Sequence, residues 1–100
     1  MPYTAGMTTL QDFKARLTLG ARCMFTAHWC PTPTLRTITK VQTASVAISH
    51  PFKGPWHDSW LTMPKASEVT SPAPGVFVIS FADRPHRALT YDFSNVPALV

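Results

Sequence analysis

Apolar and polar residues change their period once along this chain, and the change separates a helical entry from a β body. Leu10, Phe13 and Leu17 recur at helical spacing, with Gln11, Lys14 and Arg16 on the other side. Thr9 and Asp12 stand in a variant capping-box relation, a hydroxyl and a carboxylate each available to a free backbone N–H. Gly20 offers a left-handed stop. The pattern predicts a short amphipathic helix over residues 9–18, whose apolar stripe must lie on another element.

From residue 21 the period is two. Cys23, Phe25, Ala27 and Trp29 share one face, while Arg22, Met24, Thr26 and His28 share the other. Cys30-Pro31-Thr32-Pro33 is expected to end that strand, because proline has no N–H to give a ladder. Alternation and β-branched content predict further strands over 35–41, 45–49, 59–63, 76–81 and 88–93. Residues 50–55, 71–75 and 82–87 read as loops, and 65–69 as a single helical turn or tight connector. The segment 76–81 is nearly all apolar, so it is expected to be buried on both faces or beneath the helix.

One helix and six short strands predict a mainly β (α+β) domain. Its expected form is a small SH3-like, strongly bent antiparallel barrel of five to six strands preceded by one short N-terminal helix. The expected core is Phe25, Ile38, Val46, Ile48, Phe77, Ile79, Leu89 and Tyr91, capped by Leu10, Phe13 and Leu17. Residues 1–7 read as a disordered leader with Met7 as an alternative start, 8–94 as one domain, and 95–100 as a tail.

Composition supports a folded chain. Its 100 residues suit a single core, and 45% hydrophobic against 14% charged is far from a disordered balance. Ten prolines scattered along the chain favour short strands over long helices. No apolar run approaches the roughly 18–20 residues that cross a bilayer, and no signal peptide is visible. A soluble, cytoplasmic protein with no membrane partner is therefore expected, its two cysteines, Cys23 and Cys30, as free thiols. The net charge of +4 permits nucleic acid or an acidic protein as partner and selects neither.

Catalytic and metal chemistry find little footing. Cys23, His28 and Cys30 are close in sequence, but Cys23 and His28 have opposite parity and no second ligand pair has similar spacing. His57-Asp58-Ser59 carries the residue types of a hydrolase triad, yet consecutive residues diverge and cannot relay a proton. The glycines at 6, 20, 54 and 75 are isolated, so no phosphate loop is present. The expectation is a protein that is not an enzyme, with no cofactor, no metal and no catalytic residues.

What remains is a basic and aromatic surface. Lys53, Trp56, His57, Trp60 and Lys65 crowd one stretch, and Arg84, His86 and Arg87 gather at a hairpin tip. The candidate binding residues are Lys53, Trp56, His57, Lys65, Arg84, His86 and Arg87, which could anchor a protein or stack and neutralise a nucleic acid. Trp60, inside a strand, is expected in the core, whereas Trp56 suits core or surface equally. A merely solvated turn accounts for Arg84 and Arg87 as well.

Two short motifs, Thr-Ile-Thr-Lys-Val-Gln at 37–42 and Pro-Lys-Ala-Ser-Glu at 64–68, resemble those of a group of short proteins from actinobacteria, their phages and plasmids. The similarity spans residues 8–93. It implies a mobile-element origin and carries over no activity and no functional residue. The expected function is a non-enzymatic binding module that occupies a host or defence protein's surface. The alternative is a nucleic-acid-binding small barrel, and a cysteine- or metal-dependent enzyme stands third.

Overall fold

A computed structural model describes residues 8–50, 53–54, 57–84, 86–94 and 96. The helix α1 spans Thr9–Arg16. Its cap lies one residue earlier than the sequence pattern suggested. Thr8 is extended (φ −80°, ψ 164°) and its hydroxyl accepts from the Gln11 N–H at 3.1 Å, while Gln11 Oε1 accepts from the Thr8 N–H at 2.8 Å. Asp12 instead reaches Arg16 at 3.5 Å, one turn further on. Gly20 does not stop the helix, which ends at Arg16. At φ +84° it forms the turn into the first strand, its N–H donating to the Ile38 carbonyl at 2.9 Å.

Seven strands follow among the described residues: β1 (Arg22–Ala27), β2 (Cys30–Val41), β3 (Ser45–Ile48), β4 (Ser59–Thr62), β5 (Val69–Ala73), β6 (Val76–Ile79) and β7 (Leu89–Asp92). They form one antiparallel sheet in the order β4-β3-β2-β1-β7-β6-β5. The count of seven replaces the expected five to six, and β5 is the addition. Pro72 and Pro74 made that stretch read as a loop. β5 is an edge strand, and Ser71 and Pro72 fall where its register against β6 shifts, so a missing N–H costs no ladder bond there.

Cys30 to Pro33 were expected to end β1, but they open β2. His28 and Trp29 make the turn between the two strands, and Ala27 faces Cys30 across it. The register shifts between Phe25 and Ala27, leaving Pro31, Thr32 and Pro33 in a bulge that needs no N–H. A second shift lies between Ile38 and Lys40 in β2. The Thr39 hydroxyl at that bend meets Asp58 Oδ2 at 2.8 Å.

The chain's own connectivity forces the sheet to curl. Lying flat, seven strands would hold their two edges about 29 Å apart. The link from Thr62 on one edge strand to Val69 on the other can span at most about 25 Å fully extended. It is shorter still, because Ala66–Glu68 form a 3-10 turn. A curled half-barrel results, with an open seam between its edge strands.

The residues of the expected core lie in or against the observed one, which also takes in Cys23, Ala27, Leu61, Val69 and Phe81. Phe25, Ile38, Val46, Ile48, Phe77, Ile79, Leu89 and Tyr91 are buried, joined by Phe13 and Leu17 of the helical segment, with Leu10 packed against them. Phe77, Tyr91 and Phe25 pair in register across β6, β7 and β1. Phe13 sits over that row, 5.3 Å from Phe77 and 5.0 Å from Tyr91 between ring centroids. Alternating strand direction places the β1–β2, β3–β4 and β6–β7 connections at one end of the curl. The helix closes the other end, where Arg16 Nη1 comes within 3.4 Å of a Cβ position at Gly75, in the β5–β6 turn. No described helix is long and apolar enough to cross a membrane.

Candidate functional site

The loops at the open end hold most of the residues singled out from the sequence. Arg84 and Arg87 lie on the β6–β7 connection. Backbone bonds from the Arg84 N–H to the Phe81 carbonyl and from the Arg87 N–H to the Arg84 carbonyl, both 3.0 Å, fold that loop tightly. The Arg84 guanidinium lies 5.5 Å from the Phe81 ring centre and 3.6 Å from Asp83. His86 is exposed on the same loop.

Arg84 and Arg87 line a cleft of about 140 Å³ with His28, Trp29, Trp60, Leu61, Thr62, Phe81 and Leu89. Ligand pockets for small molecules run roughly 300–1,000 Å³, so this one suits a single side chain or part of a base. Trp29 and Trp60 remain 51% and 50% exposed, large apolar surfaces that folding has not used. The Trp29 ring is braced by Phe25 at 6.1 Å and His28 at 4.8 Å. Among the described residues no carboxylate lines the cleft itself. Asp83 reaches Arg84 from outside it, and no described ion pair involves Arg87.

Trp60 was expected in the core and is on the surface. Leu61 faces Val46 and takes the inner position, so Trp60, one residue away on the pleat, must point outward. It pairs with Ala47, and Lys40 Nζ lies 5.9 Å from its ring centre. Trp29 was expected to share a strand face with Cys23, Phe25 and Ala27. The His28–Trp29 turn takes it off that face.

A wider, shallower groove of about 310 Å³ continues along the seam, sharing Thr62, Phe81 and Arg84 with the cleft and adding Met63, Lys65, Glu68, Ala82 and Asp83. Glu68 is tied down here. Its carboxylate accepts from the Ala82 N–H at 2.9 Å and the Lys65 N–H at 2.8 Å, and these two bonds hold its pKa below the usual glutamate value.

Lys53 and His57 lie on the β3–β4 connection, at the same end but outside both hollows. The Lys53 N–H donates to His50 Nδ1 at 3.1 Å, and the His50 and His57 rings are 6.2 Å apart. Partial desolvation, then Lys53, Arg36 and His57, push the His50 pKa down. Trp56 lies outside the described residues. The sequence thus indicated Arg84, Arg87 and Lys65 along the seam but missed His28, Trp29 and Trp60. The inward pairing of Leu61 was the signal that could have found Trp60.

Inside the open end lies a buried cation. Arg36 pairs with Cys23 across β1 and β2 and is 4% exposed. Its Nε donates to Thr34 Oγ1 at 2.9 Å, its Nη1 to the Ser49 carbonyl at 3.0 Å, and its Nη2 lies 3.9 Å from Cys30 Sγ. Both cysteines are free thiols. Burial pushes the Cys23 thiol up to about 12, which leaves it protonated and unreactive. Among the described residues no three His, Cys, Asp or Glu side chains converge as metal ligands. No protein-family model, curated protein or solved structure matches the chain.

Proposed function

We propose that this chain is a non-enzymatic binding module that works by occupying the surface of a partner protein, as an accessory of the kind mobile elements carry. The observation that carries the reading is the cleft where two half-exposed tryptophans meet Arg84 and Arg87. Tryptophan and arginine are the side chains that most often dominate binding energy, and tryptophan does so when a partner desolvates it. The resemblance at 37–42 and 64–68 supports the accessory role. The accompanying fold reading is an SH3-like half-barrel, supported by the tight curl and by the recognition loops gathered at one end.

Retention of a host protein on the immobilised chain tests this. The bound protein should survive a wash at about 0.5 M salt, where exposed charge pairs are screened. Trp29→Ala or Trp60→Ala should weaken it by about 2 kcal/mol or more. The competing reading is nucleic-acid binding through the same arginines. Single- or double-stranded DNA or RNA bound more tightly than about 1 µM at low salt, with the affinity collapsing by about 200 mM, would replace the protein reading.

A further inference from the structure

β4 ends the sheet, so one of its sides has no strand beside it. The Met63 N–H donates to the Ala44 carbonyl at 2.9 Å, which fixes the hydrogen-bonding phase of β4 against β3. Bonded and non-bonded pairs alternate in an antiparallel ladder. Leu61 and Ser59 therefore face β3, and Trp60 and Thr62 turn their N–H and C=O groups towards the seam. Among the described residues those groups have no hydrogen-bond partner. The cleft is lined by Trp60, Leu61 and Thr62 on this side and by Arg84 and Arg87 on the other. A free strand edge and the cationic cleft are one continuous surface.

We infer that the partner docks here as an extended acidic peptide segment, adding a strand to β4 and placing a carboxylate between Arg84 and Arg87. This rests on the binding-module reading above and supplies its mode and its partner's chemistry. An edge strand offers donors and acceptors in alternation, and another polypeptide backbone answers both. The phosphates of a nucleic acid bring acceptors alone, so only its bases could answer the Trp60 and Thr62 carbonyls. A second copy would bring two chains of net charge +4 together at their own arginines. An acidic segment is complementary to the cleft, which holds His28, Arg84 and Arg87 among its described lining, with Arg84 shared with Asp83 at 3.6 Å and Arg87 in no described ion pair. Bulky apolar side chains alternating with the acid would meet Trp60 and Trp29.

Three pools of synthetic heptapeptides test the inference, read by tryptophan fluorescence and by amide hydrogen exchange of the intact protein. In the first, Glu is fixed at the centre and Val, Ile, Thr and Tyr vary around it. The second has Lys at the centre. The third is the Glu pool with alternate backbone amides N-methylated, in both phases. The Glu pool should bind and slow exchange at Trp60 and Thr62, with the Lys pool and one of the two N-methylated phases, the one whose methyls face β4, at least about tenfold weaker. Thr62→Pro should reduce binding by a similar factor while sparing the β3 ladder, since the lost N–H faces the seam.

Equal binding by each of the two N-methylated phases would overturn strand addition and leave side-chain docking, in which case Trp29→Ala still loses affinity. Equal binding by the Lys pool would overturn the acidic assignment. Protection of Trp60 and Thr62 in the protein alone, rising with its concentration, would give the edge to a second copy. Protection by oligothymidylate would give it to nucleic acid. No binding of the Glu pool at about 1 mM would overturn the edge inference, while the retention experiment decides the wider reading separately.

Discussion

Arg36 donates to the Ser49 carbonyl at 3.0 Å, and this bond ties the second strand to the chain just after the third. The same guanidinium lies 5.3 Å from the Phe25 ring centre and is buried within the curl. A buried cation is costly unless its donors are answered, and here a threonine hydroxyl and a backbone carbonyl answer them. Arg36→Ala removes both bonds and the packing on Phe25, leaving the Ser49 carbonyl to find water. We expect a loss of about 2–4 kcal/mol, measured by urea unfolding. A change below about 0.5 kcal/mol would show that the guanidinium is not holding the open end together.

Phe77 lies where the helix meets the sheet. It pairs with Tyr91, packs 5.3 Å from Phe13 and 6.1 Å from Phe93, and is fully buried. Phe77→Ala should cost about 3–5 kcal/mol, enough to unfold a domain of this size in a thermal melt. Val78→Ala, one residue along on the half-buried outer face, should cost less than half as much in the same assay.

The inner face was legible because burial imposes a period of two, and the expected strand core from Phe25 to Tyr91 obeys it, with Trp60 the exception. Edges and turns were less legible, because there the local signals compete. Pro72 and Pro74 punctuate the chain like a loop, although an edge strand has no need of every N–H. Trp60 was misplaced because its size suggests a core, whereas the register of Leu61 against Val46 decides its side. Arg36 shares the parity of Ile38, but a charged residue in a Thr-rich strand looks solvent-facing until Cys23 is set opposite it. The meeting of Arg84 and Arg87 with Trp29 depends on strand order, which no short segment contains.

Acid should loosen the molecule in two stages. His50 accepts the Lys53 N–H through Nδ1, and its folded pKa lies below 6.5. The unfolded chain therefore takes up this proton first, and the contribution to stability, complete above 6.5, fades as pH falls through the folded value. Glu68 is held below 4.5 by the backbone N–H groups of Ala82 and Lys65. Its contribution is complete above 4.5 and is lost as pH falls through its own folded value. Melting temperatures from pH 8 to 3 should drop in both windows. His50→Asn should flatten the upper one and Glu68→Gln the lower. An unchanged profile in either variant would assign that window to other groups.

The two thiols should differ in reactivity by orders of magnitude. Cys23 is fully buried on the inner face of β1, and desolvation raises its pKa to about 12 despite the opposing pull of Arg36. Thiolate, not thiol, attacks a disulfide reagent, so Cys23 combines almost no nucleophile with no access. Cys30 opens β2 beside the β1–β2 turn and is only partly buried, its sulfur 3.5 Å from the Thr32 carbonyl. Dithionitrobenzoate should therefore modify one thiol per native chain and both in about 6 M guanidinium chloride. Cys30→Ser should abolish the native reaction, and Cys23→Ser should leave it unchanged. Two thiols reacting at similar rates in the native protein would mean that the β1–β2 hairpin opens on the timescale of modification, and that the curl is not a stable core.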